Sequence, residues 1–350
     1  MIVVIMAGGK GTRFWPSSTA SKPKQFLPLL SGYTMLQETY MRFRQWLPIE
    51  QVYVATTSFY KDLVLEQLPE LDEEQIIVEP MPRDTGPCTA LTALFFLRKG
   101  IDDCLVMAPS DQYMADIDGL RMALLEAEAE AVNNRATIML GILPTRPETG
   151  YGYIRTEPWR DAERMRKVVS FLEKPNRSVA DELLRSPGTY WNSGIFVWRP
   201  STIAHLMETY CPAIWLPLFS NYPHVQDIYH TLPKLSVDFA IIEKSPARYV
   251  IPVDFDWDDI GTWNAVSRFY NADGNDNLLN GKVQSLSSNG NIVFSDKHAV
   301  IIGVSDLIIV STEDGLLVCH RSQEQRIKEM LNENITLAKP QSFREVKPFK

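Results

Sequence analysis

The first half of the chain alternates short apolar runs with segments in which apolar residues recur at helical spacing. The apolar runs predict buried strands at Ile2–Met6, Val52–Thr56, Gln75–Glu79, Cys104–Ala108 and Ala136–Ile142. The segments between them predict helices at Met35–Leu47, Phe59–Leu68, Thr89–Lys99 and Leu120–Val132. Strands that alternate with helices in this way favour parallel βαβ units with right-handed crossovers. Ligands of such sheets bind where the strands end, so we expect a site at that edge.

The second half of the chain has a different pattern. Longer strands are predicted at Gly152–Thr156, Met165–Glu173 and Thr189–Trp198, and helices at Thr202–Tyr210 and Val237–Lys244. Beyond Asn271, turn residues separate short apolar runs, which predicts a small all-β appendage and a terminal helix at Gln323–Leu331. We therefore expect an α/β domain over residues 1–270, the β appendage over 271–335 and a poorly ordered tail over 336–350.

Composition narrows the class of protein. With 350 residues, 45% of them hydrophobic, the chain can bury a substantial core. Its net charge of −8 argues against binding to nucleic acid or to an anionic membrane. The apolar opening lacks the cationic start of a secretory signal, and no run approaches the roughly 18 apolar residues that span a bilayer. The four cysteines fit no zinc or redox spacing, so we expect reduced thiols in a cytoplasmic protein.

The loop after the first strand is rich in glycine and in positive charge. Glycines at positions 8, 9 and 11 let backbone N–H groups approach an anion closely. No acidic residue occurs before Glu38, whereas the loop carries the basic residues Lys10, Arg13, Lys22 and Lys24. In an acidic chain this local cationic segment indicates a polyphosphate site. The alternative is a glycine turn flanked by solvated lysines.

Two common phosphate-binding motifs do not match this loop. The spacing of a P-loop, G-x-x-x-x-G-K-[ST], is absent. A dinucleotide fingerprint would need a third glycine where the chain has Phe14, and the strand Val52–Thr56 ends without the acidic residue that would hold a ribose. Dinucleotide binding is therefore disfavoured.

The segments Gly8–Ser18 and Pro23–Leu27 together resemble the signature of the sugar-1-phosphate nucleotidyltransferases, in particular the branch that acts on mannose 1-phosphate with GTP. Further motifs follow in the family's order over roughly residues 1 to 270. The resemblance implies a Rossmann-like α/β fold with a mixed, mainly parallel sheet flanked by helices. It also implies a small C-terminal all-β appendage that is β-helix-like.

The resemblance implies a reaction as well. GMP would be transferred from GTP to α-D-mannose 1-phosphate, giving GDP-mannose and pyrophosphate, with Mg²⁺ as cofactor and a homodimer as the expected assembly. Neither nucleic acid nor membrane is an expected partner. Two alternatives stay open: a guanylyltransferase for another sugar 1-phosphate, such as a heptose, and a non-catalytic sensor of nucleotide sugars.

Charged residues are assigned first. Phosphoryl-type transfer depends mainly on positioning and electrostatic stabilisation, which cationic donors supply. By motif match, Arg13 and Lys24 are the expected catalytic residues. Mg²⁺ prefers hard oxygen ligands, and the expected ones are Asp111, which follows a buried strand, and Asp259 in a segment resembling W-x-D-[VI]-G-x-W. Asp256 and Asp258 are close enough in sequence to confuse this assignment.

The remaining site residues are expected from the family's other motifs. The expected nucleotide-binding residues are Ala7, Gly8, Gly9, Gly11, Thr12, Arg13, Arg83, Thr85, Pro109 and Ser110. The expected sugar-phosphate-binding residues are Gly152, Glu173, Lys174 and Asn192. Two positions depart from the family pattern: Gly86 replaces an alanine and is expected to loosen the start of a helix, and Gln112 stands where many members have histidine.

Overall fold

A computed structural model describes residues 1–9, 11–157 and 164–332 of the chain. The chain divides into two units. The first unit consists of Met1–Gly11 and Ala20–Gly261, and the second of Thr12–Thr19 together with the chain from Thr262 onward. Lys10 and the predicted tail at 336–350 lie outside the described residues.

The first unit is built on a large mixed sheet. Its strands are β1 (Ile2–Met6), β2 (Val52–Thr57), β3 (Ile76–Glu79), β4 (Leu105–Pro109), β5 (Gln112–Met114), β6 (Thr137–Ile142), β7 (Gly152–Thr156), β8 (Arg166–Glu173), β9 (Thr189–Trp198), β10 (Arg248–Val253) and β11 (Trp257–Asp259). Within the described residues, nine of these strands form one sheet in the order β3-β2-β1-β4-β9-β6-β10-β8-β7. The pairs β1–β2, β1–β4, β2–β3 and β6–β10 are parallel, and β9 is antiparallel to β4 and β6. The predicted fold class is therefore confirmed.

Helices cover both faces of this sheet. The helices of the first unit are α1 (Met35–Arg44), α2 (Lys61–Gln67), α3 (Thr85–Arg98), α4 (Ile117–Asn134), α5 (Arg177–Arg185), α6 (Pro200–Tyr210) and α7 (Pro212–Asn221). Alternate residues of β1 point to opposite faces, so Val3 and Ile5 pack in one core cluster and Ile2 and Val4 in the other. Helices α1, α2, α4 and α5 contribute to the first cluster, and α3, α6 and α7 to the second.

The topology places the ends of several strands at one edge. Because β1, β3 and β4 are parallel within the sheet, the glycine loop, Glu79 and the segment after Pro109 all follow strand ends at that edge. Strand β9 runs the other way, so its first half lies beside the end of β6, where Asn192 pairs with Gly141. A separate two-stranded sheet joins β5 to β11.

The second unit contains α8 (Trp263–Ser267), α9 (Ile327–Asn332) and a four-stranded sheet of β12 (Leu278–Leu286), β13 (Ile292–Ile302), β14 (Leu307–Ser311) and β15 (Leu316–His320). Strands β12, β13 and β14 are parallel. Buried asparagines connect their successive turns. The side-chain oxygen of Asn277 accepts from the backbone N–H and the side-chain amide of Asn291, and Asn291 Oδ1 accepts from the backbone N–H of Leu307.

Several predicted elements differ from the structure. The predicted helix at Val237–Lys244 is a π-helical turn at Asp238–Ile242. Strands β5 and β11 were not predicted, because each has only three residues in which polar and apolar side chains are mixed, and strand β10 was not predicted either. Helix α3 begins at Thr85, four residues before its predicted start. Among the described residues, the helices are all too short or too polar to cross a membrane.

Candidate active site

The glycine loop is held in place by a buried glutamine. Gln25, which is 2% exposed, donates from Nε2 to the carbonyl oxygens of Ala7 and Gly9, at 2.9 Å in each case. The hydroxyl of Thr56 also donates to the Ala7 carbonyl, at 3.0 Å. The carbonyl groups of Ala7 and Gly9 are therefore held by hydrogen bonds within the protein.

Gly11 allows the loop to approach Lys24. Gly11 has a φ of +57°, and a Cβ built there would lie 2.7 Å from both the Cβ and the backbone nitrogen of Lys24. Any larger residue would therefore collide with the backbone of this neighbour and would also be strained. Lys24 begins a short 3₁₀ helix, Lys24–Phe26, so its backbone position is well defined.

The Lys24 ammonium lies between the two carboxylates that were predicted to bind metal. Its Nζ is 2.7 Å from Asp111 Oδ2 and 3.8 Å from Asp259 Oδ1. It also donates to the carbonyl oxygen of Ile260 at 2.9 Å. The structure thus brings together one predicted catalytic residue and both predicted metal ligands, although 148 positions of sequence separate the two aspartates.

The two carboxylates meet because β5 and β11 pair. In this antiparallel pair Asp259 is the partner of Gln112, the residue after Asp111. Gln112 is 4% exposed, accepts from Trp257 Nε1 at 3.1 Å and donates from its amide to the carbonyl oxygen of Ser193. The departure at position 112 therefore has a structural role, because Gln112 ties β5 to β9 and β11.

A buried cation supports the same segment. Arg42 on α1 is 6% exposed and donates to the carbonyl oxygen of Gln112 at 2.9 Å. Burial lowers the pKa of Arg42 to about 10. The guanidinium stays charged at neutral pH and fixes the backbone immediately after Asp111.

Asp258 points away from Asp259 into a network of its own. Its Oδ1 accepts from the Tyr151 hydroxyl at 2.7 Å, and its Oδ2 is 3.2 Å from the guanidinium of Arg146. Arg146 also lies over the ring of Trp191, 4.9 Å from the ring centre. Asp258 is thereby used as a structural anchor, and Asp259 is left as the carboxylate that faces Lys24.

The pair Asp111 and Asp259 fits a divalent cation. Their oxygens converge on one cationic atom, Lys24 Nζ, which shows that the position favours positive charge. In residues 1–9, 11–157 and 164–332, no group of three or more histidine, cysteine or carboxylate side chains is arranged to hold a metal. Two carboxylates completed by substrate phosphates and water are the arrangement that Mg²⁺ prefers, rather than a cage made only of protein.

Three of the predicted sugar-phosphate residues lie together on β7 and β8. Gly152 pairs with Glu173, and a Cβ at Gly152 would lie 2.7 Å from Glu173 Oε2. The absence of a side chain at position 152 therefore leaves room for the carboxylate. Lys174 has a φ of 45°, and its ammonium forms an ion pair with Glu173. Its backbone N–H donates to the Tyr151 carbonyl at 3.2 Å, which fixes the lysine at the strand end.

The fourth, Asn192, is oriented from two sides. Its Oδ1 accepts from the backbone N–H of Gly194 at 3.0 Å, and its Nδ2 donates to Asp238 Oδ1 at 3.3 Å. Gly194 has a φ of +72° within β9, where the pairing register with β6 shifts next to Asn192. Asp238 was not among the predicted site residues.

The predicted nucleotide residues around the start of α3 are engaged with a neighbouring loop. Arg83 donates to the carbonyl oxygen of His230, and the Thr85 hydroxyl accepts from the backbone N–H of Val237 at 2.8 Å. The backbone N–H of Gly86 donates to the Leu235 carbonyl at 2.9 Å, and a Cβ at Gly86 would lie 2.5 Å from that oxygen. The glycine at position 86 therefore permits a close contact with this loop.

Glu79 is a second residue that was missed by the sequence analysis. It ends β3 and is 4% exposed, and its Oε2 accepts from the Tyr229 hydroxyl at 2.6 Å. Burial raises the pKa of Glu79 to about 7, although its hydrogen bonds with Tyr229 and Cys88 oppose the shift. Its Oε1 faces the glycine loop, because a Cβ at Gly8 would lie 3.4 Å from it.

The other predicted residues occupy less informative positions. Pro109 ends β4, and Ser110 is buried with its N–H donating to the Met6 carbonyl at 3.3 Å. Thr12 and Arg13 lie in a 3₁₀ helix, Thr12–Phe14, and belong to the second unit. Arg13 Nε has no hydrogen-bond partner among the described residues.

Comparisons with known proteins show the family to which the chain belongs. A family model described as nucleotidyl transferase matches residues 2–275, and a model described as a MannoseP isomerase/GMP-like β-helix domain matches residues 281–333. The Escherichia coli protein named mannose-1-phosphate guanylyltransferase is 36% identical over 354 residues, which cover 95% of this chain and 74% of that protein. The xanthan biosynthesis protein XanB of Xanthomonas campestris is 33% identical over 345 residues, which cover 95% of this chain and 73% of that protein.

Solved structures show the same likeness. The crystal structure of a Thermus thermophilus protein named mannose-1-phosphate geranyltransferase superposes with a TM-score of 0.84 at 32% identity, covering 94% of this chain and 98% of that one. A structure named mannose-6-phosphate isomerase from Helicobacter pylori has a TM-score of 0.60 at 21% identity, a likeness of fold alone.

Proposed function

Because the chain belongs to the nucleotidyl transferase family, we propose that it transfers GMP from GTP to α-D-mannose 1-phosphate, forming GDP-mannose and releasing pyrophosphate. The E. coli relative named for this reaction, which the chain matches over nearly its whole length, supports the choice of substrates. One observation carries the proposal: Lys24 bridges Asp111 and Asp259 beside the glycine loop. That cluster combines an ammonium group that can donate hydrogen bonds to phosphate with two carboxylates that can ligate a metal.

The reaction is a direct displacement at phosphorus. A phosphate oxygen of the sugar 1-phosphate attacks the α-phosphorus of GTP, and the bond from that phosphorus to the oxygen leading to the β-phosphate breaks. The electron pair leaves with pyrophosphate. Lys24 stabilises the charge that develops on the phosphates, and Arg13 is proposed to do so through its planar guanidinium. Positioning and electrostatics therefore supply the acceleration, without a covalent enzyme intermediate.

The residues proposed to hold Mg²⁺ are Asp111 and Asp259. Held there, Mg²⁺ would offset part of the negative charge on the substrate phosphates and so reduce the repulsion between them. In the structure Lys24 Nζ occupies the region between the two carboxylates. When metal and nucleotide bind, this ammonium is expected to turn toward the phosphates.

Glu79 is proposed to select guanine. Guanine presents two adjacent donors, N1–H and the 2-amino group, and a carboxylate accepts both at once. Adenine lacks this donor pair, and uracil and thymine offer a single N–H. Glu79 Oε1 faces Gly8 on the glycine loop, and Tyr229 holds the other oxygen. A buried polar group matched to one base rejects others strongly, because the wrong base leaves it unpaired.

The sugar is proposed to bind at the β7–β8–β9 end of the site. Glu173 would accept hydrogen bonds from sugar hydroxyls, Lys174 would contact the phosphate, and Asn192 would contact the ring. A cytoplasmic location follows from the substrates proposed, GTP and a sugar phosphate. A homodimer remains an expectation.

The proposal is tested by pyrophosphate release in the presence of Mg²⁺ and mannose 1-phosphate, with GTP, ATP, UTP, CTP and dTTP compared. The variant Asp111→Asn should abolish most of the release. Asp103→Asn is the matched control, because Asp103 is exposed and lies before β4 on the same segment of chain.

Release with GTP alone, lost in Asp111→Asn and retained in the control, would support reaction, base and metal site together. Release with GTP and a different sugar 1-phosphate would replace mannose in the proposal. Binding of GTP without turnover on any sugar 1-phosphate would overturn the catalytic proposal and favour a sensor.

A further inference from the structure

We propose that Asp238 is a sugar-positioning residue: it orients the amide of Asn192 and, with Glu173, forms a pair of carboxylates that accept hydrogen bonds from hexose hydroxyls. This inference rests on the proposed function and extends it to a residue that the family motifs did not supply. The contacts around Asn192, Asp238 and the turn that begins at Asp238 support it.

The amide of Asn192 has only one orientation that satisfies its neighbours. Gly194 offers a backbone N–H, so the amide oxygen must face it. Asp238 offers a carboxylate oxygen, which accepts only from the nitrogen side of the amide. A side-chain amide has two donor hydrogens and two acceptor lone pairs. Asp238 uses one of the donor hydrogens, and the Gly194 N–H uses one of the lone pairs. One donor and one acceptor therefore remain, in a fixed arrangement, for a sugar hydroxyl.

Asp238 can hold this orientation because its own backbone is fixed. The preceding residue, Val237, donates its N–H to the Thr85 hydroxyl at 2.8 Å, at the start of α3. The Asp238 carbonyl accepts from the backbone N–H of Glu243 at 2.9 Å, which closes the π-helical turn Asp238–Ile242. π-Helical turns are rare in proteins, and those that occur are often at functional sites.

The charges near Asp238 are those of the proposed sugar pocket. Burial raises the pKa of Asp238 to about 6, and the Glu173 carboxylate contributes to the rise while Lys174 opposes it. Glu243 also raises this pKa. Lys174 forms an ion pair with Glu173, the last residue of β8, and Asn192 of β9 donates to Asp238 at 3.3 Å. The electrostatic influence of Glu173 and Lys174 on Asp238 indicates that the two carboxylates, the ammonium and the amide belong to one pocket.

This composition suits a hexose phosphate. Carboxylates accept hydrogen bonds from hydroxyl groups, the ammonium matches a phosphate, and the oriented amide both donates and accepts. A site that hydrogen-bonds a hydroxyl at a fixed position discriminates against an epimer in which that hydroxyl points elsewhere. Asp238 should thus contribute to the choice between mannose 1-phosphate and glucose 1-phosphate, which are epimers at carbon 2.

The test compares Asp238→Ala and Asp238→Asn with the wild-type protein. For each, steady-state kinetics with Mg²⁺ would give KM for mannose 1-phosphate, KM for GTP, kcat and the preference for mannose over glucose 1-phosphate. Ser236→Ala is the matched control, because the Ser236 hydroxyl belongs to the same turn and accepts from Phe239 N–H at 3.5 Å. Thermal unfolding of all four proteins would show whether the turn is intact.

Asp238→Ala is expected to raise KM for mannose 1-phosphate roughly tenfold and to reduce epimer preference, with little change in KM for GTP. The KM and epimer preference of Asp238→Asn should lie between those of the wild type and Asp238→Ala. Its amide oxygen can still accept from Asn192, although the charge is lost. Unchanged sugar KM and epimer preference in both variants, with wild-type turnover intact, would overturn this inference alone. A wild-type protein without turnover on any hexose 1-phosphate would overturn the proposed function and the inference with it.

Discussion

Lys24 Nζ lies 2.7 Å from Asp111 Oδ2, and Gly11 lets the glycine loop approach Lys24 closely. The same ammonium is 3.8 Å from Asp259 and bonded to the Ile260 carbonyl. A single lysine thus offsets part of the repulsion between two carboxylates. In the proposed reaction the carboxylates bind a metal and Lys24 binds phosphate. The Lys24 ammonium should therefore occupy different positions in the substrate-free and the substrate-bound protein.

Replacing the lysine should separate these two roles. Lys24→Gln is expected to lower kcat roughly 10²–10³-fold, as removal of one preorganised donor does elsewhere. In the absence of nucleotide it should tighten Mn²⁺ binding, because the competing ammonium is gone. Pyrophosphate release measures the first effect, and the paramagnetic resonance of free Mn²⁺ measures the second.

The control for this experiment is Lys99→Gln, an exposed lysine at the end of α3. It should change neither quantity. Weaker Mn²⁺ binding in Lys24→Gln would contradict the competition between ammonium and metal, even if turnover fell as expected.

Removing the Gln112 side chain should destabilise the first unit. Gln112→Ala leaves Trp257 Nε1 and the Ser193 carbonyl without the partners they have in the structure. Each buried polar group left unpaired costs about 1–3 kcal/mol. Urea unfolding should therefore show an unfolding free energy lower by at least about 1 kcal/mol, the cost of one unpaired group. The control Gln45→Ala, at an exposed position, should leave the unfolding free energy nearly unchanged. A stability equal to that of the wild type would show that the tie is dispensable.

Adding a methyl group at position 86 should also destabilise the protein. The sequence predicted that glycine here loosens the start of a helix, so alanine should improve it by about 1 kcal/mol through propensity alone. The structure predicts the opposite, because the added Cβ would lie 2.5 Å from the Leu235 carbonyl oxygen. Overpacking of this kind typically costs about 1–3 kcal/mol.

The unfolding free energy of Gly86→Ala, measured in urea, decides between the two. Gly32→Ala is the matched control, because a Cβ there meets nothing within 4 Å. A gain in stability for Gly86→Ala would mean that the Leu235 loop yields easily and that helix propensity dominates.

Glu79 should make the unfolding free energy fall as the pH rises from acidic to neutral. Burial raises its pKa from an ordinary 4.5 to about 7, so the folded state holds the proton more tightly than the unfolded state. The associated stability is present below pH 4.5 and is lost as the pH rises through 7. A shift of this size corresponds to roughly 3 kcal/mol.

Glu79→Gln should remove this dependence, because the amide does not titrate and its oxygen can still accept from Tyr229. Urea unfolding at several pH values between 4.5 and 8 measures the difference from the wild type. The exposed Glu66→Gln on α2 should run parallel to the wild type. Parallel curves for Glu79→Gln as well would mean that the pKa of Glu79 is the same in the folded and unfolded states.

The same substitution tests guanine selection. Glu79→Gln is expected to raise KM for GTP by roughly 10- to 100-fold, since a site built for specific hydrogen bonds loses its match. KM for ITP, whose base lacks the 2-amino group, should change less. Equal changes for the two nucleotides would contradict a contact between Glu79 and that amino group.

Sequence alone was sufficient for the parts of the molecule that depend on local pattern. The apolar runs of β1, β2, β4 and β6 lie in the structure close to where they were predicted, because a buried parallel strand has to be continuously apolar. The glycine loop and the order of motifs led to the family, which the comparisons confirm. The individual site roles and the domain boundary after residue 270 stay predictions.

Tertiary structure decided which polar residues share a site. Asp111 and Asp259 meet because two three-residue strands pair, and Trp257 in that pair packs on Tyr151 and Trp191, with ring centres 5.2 and 6.3 Å apart. Local sequence pattern does not mark strands this short. The sequence did not assign Glu79 or Asp238 to the site, because carboxylates are usually exposed to solvent. Only the elements packed around them show that Glu79 is buried and Asp238 partly buried.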